Sequence, residues 1–188
     1  MTQGPALVSD TLATPLGELR LVAHPDGALC GIDWTDHDAR LRRLLDLRWR
    51  GWTMRDARDP WGFRRALADY FAGDLAVLDT LPVMTGGTSF QQCVWRALRA
   101  IPCGTTITYG ELARRVGRPR AVRAVGHANG ANAIGIVVPC HRVVGADGAL
   151  TGYGSGLPRK QWLLAHESIR RPAPGPAHGG TQAAPVRR

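Results

Sequence analysis

The sequence predicts an α/β protein in two units: a small α/β unit with an antiparallel sheet over residues 1–84, and a mostly helical unit over 88–168. A basic tail over 169–188 follows. Three observations carry this. Residues 11–34, "TLATPLGELRLVAHPDGALCGIDW", alternate polar and apolar residues around two turn signals. From residue 38 onward apolar residues recur at helical spacing. Gly86 and Gly87 then break the pattern just before a new helix start. At 188 residues and 44% hydrophobic content, the chain is long and apolar enough to bury a core.

The turns at Pro15-Leu16-Gly17 and Pro25-Asp26-Gly27 predict a meander of short antiparallel strands. "DARLRRLLDLRW" then places Leu41, Leu44 and Leu45 on one helical face, and "PWGFRRALADYFAG" does the same with Phe63, Leu67, Tyr70 and Phe71. Thr88 with Gln91 fits a capping box, after which Phe90, Val94, Leu98 and Ile101 recur on one face. Thr108 with Glu111 fits a second box, ahead of Leu112, Ala113 and Val116, and Gly117 to Pro119 stop that helix. The next helix carries Arg120, Arg123 and His127 beside Val122 and Val125, which is a helix-turn-helix pattern found in DNA-binding proteins and in many other helical pairs. That helix is nearly without bulk, with Ala121, Ala124, Gly126, Ala128, Gly130 and Ala131. Such bareness fits either close packing on the protein's own core or insertion into a narrow groove, with Arg123 the longest probe. The apolar run "IGIVV" reads as a buried strand, and "LPRKQWLLAHES" as a closing helix beginning at Pro158. "RRPAPGPAHGGTQAAPVRR" is too rich in Pro, Gly and Ala to pack.

The formal charge is +9, and of 24 basic residues only Lys160 is a lysine. This balance favours polyanions, DNA or RNA above all, although an arginine-biased solvated surface gives the same number. No run is apolar and long enough to cross a bilayer, and the N-terminus lacks the basic start and apolar centre of a secretory signal, so a cytoplasmic location is expected. None of the four cysteines, Cys30, Cys93, Cys103 and Cys140, forms a CxxC pair, so reduced thiols are expected. His24 and His37 flank Cys30 without paired ligand spacing, and no metal site is expected.

Two cysteines follow a proline, in "IPCG" and "VPCH". Cys103 falls at a helix C-terminus, where the dipole disfavours a thiolate. Cys140 sits where Pro139 ends the apolar run, with an imidazole on the next residue that can take its proton directly or through water. A packed cysteine beside a surface histidine gives the same dipeptide, so something must orient the ring. Glu167 is the candidate, because it stands in the last turn of its helix, where the dipole opposes a carboxylate and a partner is needed. Cys140, His141 and Glu167 then supply nucleophile, base and orienting acid.

"FQQCVWRALRAIPCGTTITYGELA", "RAVGHANGAN", "VPCHRV" and "TGYGSGLPRKQWLLAHE" occur in the order found in O6-alkylguanine-DNA alkyltransferases, and the second unit resembles that family over nearly its whole length. The resemblance implies a ribonuclease H-like first unit and a winged helix-turn-helix-like second unit carrying the active cysteine. It makes Cys140 similar to the alkyl acceptor, His141 to the water-linked base, Glu167 to its orienting acid, Asn132 to the amide bracing the cysteine turn, and Tyr109 to the phenol that protonates the departing base. Arg123 resembles the finger that fills the space of an extruded nucleotide, with Thr108, Arg120, Ala124 and Gly126 on the DNA side. Val143, Tyr153, Gly154, Ser155 and Lys160 match the substrate pocket, with the Val143 carbonyl as acceptor for the guanine amino group. The implied activity is single-turnover transfer of an alkyl group from O6-alkylguanine, and from O4-alkylthymine, in flipped-out duplex DNA to Cys140. The implied partner is DNA bound through its minor groove by a monomer, with cooperative assembly on DNA open, and no cofactor.

Two departures stand out. Gly154 replaces a serine often found after the pocket tyrosine, leaving a backbone N–H for O6, and Asn129 and Gly130 occupy positions where bulkier or charged residues assist extrusion. A cysteine hydrolase using the same relay, and a lesion-binding regulator without repair activity, are the competing readings.

Overall fold

The computed structural model describes residues 4–168; the expected basic tail over 169–188 lies outside the described residues. Strands β1 (Ala6–Thr14), β2 (Gly17–His24) and β3 (Ala28–Trp34) form the expected antiparallel meander. Each turn closes as its residues demand: Thr14 Oγ1 donates to the Gly17 carbonyl at 2.6 Å, and the Gly27 N–H donates to the His24 carbonyl at 2.9 Å. A fourth strand, β4 (Thr53–Asp56), pairs in parallel with β1 and completes the order β3-β2-β1-β4. This strand was not foreseen, because "TMRD" is mostly exposed and carries no alternation for a sequence reader to detect.

The meander's side chains alternate between two apolar faces, and a bulge in the β2–β3 pairing between Val22 and Ala23 shifts the alternation within β3. Leu7, Val22 and Cys30 face α1 (Asp38–Asp46) through Leu41, Leu44 and Leu45. Leu12, Leu19, Leu21, Leu29 and Ile32 face the other way, towards α2 (Phe63–Ala72) and the second half of the chain. There they join one continuous cluster with Val94 and Leu98 of α3 (Ser89–Arg99), Leu112 of α4 (Tyr109–Arg115), Val125 of α5 (Val122–Gly130) and Leu163 of α6 (Leu157–Ser168). β3 is therefore buried along both faces, and its edge meets the second half directly through Ile32 N–H to Ala133 O at 2.7 Å.

Several local expectations need correction. "IGIVV" is not a strand: after an isolated bridge at Ile134 the chain turns, with Val138 N–H bonded to Ile134 O at 2.9 Å and Ile136 at φ +69°. Its residues Ile134, Ile136, Val137 and Val138 are all buried, which a short apolar run signals without specifying a strand. Arg120 lies in the turn ahead of α5 rather than on it, and Val122 is exposed rather than packed. The Thr88–Gln91 capping box is complete, whereas at Thr108 only half forms, since Glu111 spends its carboxylate on Arg114 and Arg115. The short β5 (Ile107–Thr108) and β6 (Val143–Val144) pair in parallel and tie the start of α4 to the segment after Cys140. Among the described residues no helix is long and apolar enough to cross a membrane, and no group of three or more His, Cys, Asp or Glu is placed to hold a metal ion.

The complete box makes Thr88 a sensitive position. Thr88→Ala is expected to lower stability by about 1 kcal/mol in urea unfolding, with the slope unchanged.

Candidate functional site

Cys140 opens a single 3₁₀ turn, Cys140–Arg142, immediately after Pro139. The buried loop before it is held by Asn132, whose Nδ2 donates to Val138 O at 2.7 Å while its Oδ1 accepts from Ile134 N–H at 2.9 Å. One amide side chain thus clips both ends of an irregular apolar segment and sets where the thiol emerges. Cys140 faces a cavity of about 280 Å³, which Asn132, Tyr109, Gly126, Tyr153, Gly154 and Ser155 also line.

Behind the thiol lies a fully buried ion cluster. His141 is 0% and Glu167 1% exposed. Since an ionised carboxylate only accepts, His141 Nε2 donates to Glu167 Oε1 at 3.0 Å, which leaves Nδ1 as the basic nitrogen. Nδ1 is buried and has no protein partner. Arg142 grips the same carboxylate with two nitrogens, at 2.8 and 2.9 Å, and donates to the Ile101 carbonyl at 2.6 Å. Tyr70 of α2 adds its hydroxyl to Oε1 at 3.0 Å. Burial alone would raise Glu167, but the hydrogen bonds from His141 and Arg142 outweigh it and hold the carboxyl well below its usual range. Burial likewise holds His141 neutral, with Glu167 pulling against it. Burial raises the Cys140 thiol, opposed by its Asn132 hydrogen bond and the charges of Arg40 and Lys160, so the resting sulfur is protonated. Burial and the nearby Glu167 push the Cys103 thiol up to about 11, which adds to the effect of its helix end in disfavouring a thiolate.

The other anticipated residues fall into three places. Tyr109 lies at the cavity with its hydroxyl 3.4 Å from Gly152 O and 3.5 Å from Asn129 Nδ2, and burial and the nearby Cys140 raise it. Tyr153 sets its ring edge-on to His141, centroids 6.5 Å apart. Val143 and Lys160 are buried away from the cavity lining: the Lys160 ammonium donates to the Val143 and Thr151 carbonyls, each at 2.6 Å. Arg123 and Ala124 stand on the exposed face of α5, and Thr108 caps α4. Asn129 is buried against the cavity with its Oδ1 unpartnered.

Sequence reading missed an arm of the site that comes from the first half of the chain. Arg40 of α1 donates to Asp33 Oδ2 at 2.6 Å and reaches the carbonyls of Gly130 at 2.9 Å and Asn132 at 3.1 Å. Asp33, 1% exposed, takes the Ser155 hydroxyl on its other oxygen at 2.6 Å. Arg40 lies so close over Gly154 that a Cβ there would overlap the guanidinium, so the glycine that departs from the usual serine accommodates this arginine. The one available signal was an acid, Asp33, inside an otherwise apolar strand.

Known proteins resemble this chain over most of its length. The family described as 6-O-methylguanine DNA methyltransferase, DNA binding domain, matches residues 89–169. A methylated-DNA–protein-cysteine methyltransferase of Salmonella typhimurium is 54% identical over 163 residues, covering 86% of this chain and 95% of that protein. The crystal structure of Mycobacterium tuberculosis O6-methylguanine methyltransferase superposes with a TM-score of 0.72 at 40% identity, covering 89% of this chain and 96% of that one. A structure of Mycobacterium tuberculosis OGT in complex with DNA superposes at 0.67 and 38% identity, with the same coverage.

Two outcomes follow from the buried groups. His141 and Glu167 both hold pKa values below those of the unfolded chain, so the unfolded state takes up their protons first and stability is lost as pH falls. Urea midpoints should decline below about pH 6.5 through His141 and again below about pH 4.3 through Glu167. Glu167→Gln should start about 3–5 kcal/mol less stable, because Arg142 loses its counterion, and should lack the second decline. Gly154→Ser should destabilise by about 1–2 kcal/mol, and most of that penalty should vanish in an Arg40→Ala background when the double-mutant cycle is measured.

Proposed function

The chain belongs to the methylated-DNA–protein-cysteine methyltransferases, enzymes that repair DNA directly by transferring an alkyl group to a cysteine of their own, and we propose that Cys140 is the acceptor in this one. The observation that carries the reading is the pairing of a cavity-facing thiol with a buried His141–Glu167 pair whose other ring nitrogen, His141 Nδ1, has no protein partner.

On this reading O6-alkylguanine, or O4-alkylthymine, swings out of the duplex into the cavity. His141 Nδ1 takes the Cys140 proton, directly or through one water, and Glu167 stabilises the imidazolium. The sulfur attacks the alkyl carbon, the carbon–oxygen bond breaks, and its electron pair moves into the purine. Tyr109, at the cavity wall, supplies a proton to the leaving base and is restored from the imidazolium; in balance, the thiol proton ends on the purine and the alkyl carbon on sulfur. The product is a thioether with no carbonyl for water to attack, so the protein acts once. With Val143 O already held by Lys160, the carbonyl offers its second lone pair to a guanine amino group only after the 143–151 segment adjusts.

The bare helix supports minor-groove docking. A Cβ at Gly126 would meet nothing nearer than Tyr109 Cε1 at 4.0 Å, and one at Gly130 would meet nothing within 4 Å. Packing on the protein's own core therefore does not require these glycines, whereas a DNA backbone approaching the exposed face with Arg123 would. The accompanying proposals are a DNA-binding unit over 88–168 of winged helix-turn-helix type, a ribonuclease H-like unit over 1–84, a monomer with cytoplasmic access to the nucleoid, and Arg120, Arg123, Ala124 and Thr108 at the DNA.

Incubation with a duplex containing O6-methylguanine should add one methyl to the Cys140 peptide in a stoichiometric burst, detected by peptide mass, with none in Cys140→Ala. Continuing turnover under excess substrate would instead identify a hydrolase, and an unmodified Cys140 with intact binding would leave a lesion-recognition protein.

A further inference from the structure

We infer that Tyr70 is a positioning residue for the alkyl transfer: by sharing the Glu167 oxygen that orients His141, it sets the pH at which the imidazole can accept the thiol proton. The inference rests on the proposed function and concerns a residue outside the segment that carries the reaction.

Glu167 Oε1 accepts from three donors on two segments: His141 Nε2 at 3.0 Å and Arg142 Nη2 at 2.8 Å from the turn after Cys140, and Tyr70 Oη at 3.0 Å from α2. Tyr70 is 0% exposed, and its hydroxyl spans 97 residues of sequence to reach α6. Its ring is boxed edge-on by Phe71 and by His166, with centroids 5.4 and 5.2 Å away, while the His166 Nε2 donates to the Tyr70 carbonyl at 2.8 Å. The hydroxyl therefore has little freedom to seek another acceptor. Burial, followed by the nearby carboxylate, keeps it protonated, so it remains a donor at every pH of interest.

A neutral donor on Oε1 stabilises the carboxylate whatever the state of His141. That lowers the carboxylate's demand for the proton on Nε2 and so lowers the stability of the imidazolium. Without it, Glu167 would hold the imidazolium more strongly and a larger share of the ring would be charged at rest, with Nδ1 already occupied. The other groups around the pair are accounted for: Arg142 and Cys103 adjoin Glu167, while Lys160, Cys140 and the Tyr153 ring adjoin His141. Arg142 carries a full charge and fixes the carboxylate's position. Tyr70 differs in being uncharged, and it comes from the first half of the chain. It makes α2 part of the reaction centre without touching sulfur or substrate.

The test is the pH dependence of the single-turnover rate of methyl transfer to Cys140 from duplex O6-methylguanine, between pH 5 and 9. Tyr70→Phe should move the acid limb upward by about 0.5–1 unit with little change in the high-pH plateau. A fluorinated tyrosine placed at 70 alone, leaving Tyr109 and Tyr153 natural, is a stronger donor of the same shape and should move the limb downward. Nitrogen-15 spectra of His141 should follow both shifts. A Tyr70→Phe profile lowered equally at all pH values, or both variants shifting the limb in one direction, would overturn the inference and leave Tyr70 as packing. Urea midpoints measured alongside identify any loss that comes from unfolding. Failure of the wild-type protein to methylate Cys140 would instead overturn the proposed function, so the two failures are separable.

Discussion

A carboxylate buried at the C-terminal end of a helix is the constraint around which this molecule is arranged. Glu167 sits where both the helix dipole and the loss of water oppose its charge. The chain meets that cost by converging four hydrogen bonds on two oxygens, from His141, Arg142 and Tyr70. Removing one member of such a cluster strands a charge, so the cluster is evidence of a demand for geometry more than of stability. That geometry fixes one ring nitrogen of His141 and leaves the other, Nδ1, without a protein partner.

The same demand explains why the two halves of the chain are not independent. Tyr70 reaches the relay from one side of the first half, and Arg40 with Asp33 reaches the cavity rim from another. β3, which carries Asp33, is buried on both faces and bonded at its edge to the segment that leads into Cys140. The sheet thus serves as the rigid back against which an irregular loop is pressed. Asn132 is effective because that loop has few ladder bonds of its own: its amide replaces the pairing that a regular strand would have supplied.

What was legible in the sequence had local causes. The meander, the Thr88 box and the apolar helix faces follow from residues within a few positions of one another. Glu167 was found because an acid at a helix end is locally unfavourable, a reading that asks for a partner without saying how many. Arg142 and Tyr70 were not found as partners, since neither is unusual in its own neighbourhood: one follows a histidine, the other fills an amphipathic face. Arg40 was hidden among the arginines of α1, and only the long-range contact to the Gly130 and Asn132 carbonyls distinguishes it. The misread strand has the complementary cause. An apolar run reports burial, while a turn with Ile136 at positive φ is imposed by Asn132 and Pro139 at its ends.

The resting state of the sulfur is the last step in the argument. A cysteine that must act repeatedly gains from a standing thiolate, yet here burial raises the thiol and His141 is held neutral. Neither partner is charged before substrate arrives, although each stands within reach of groups that would stabilise its charged form. A protonated, enclosed thiol resists oxidants and stray electrophiles, which attack thiolates in solvent. On the proposed single-use role of Cys140, this protection matters more than resting reactivity. The same proposal confines proton transfer to the moment when an alkyl carbon fills the cavity and the departing electrons have somewhere to go. Burial of Cys140 is therefore compatible with the proposed nucleophilic role, in which the His141–Glu167 pair supplies the charge stabilisation that solvent does not.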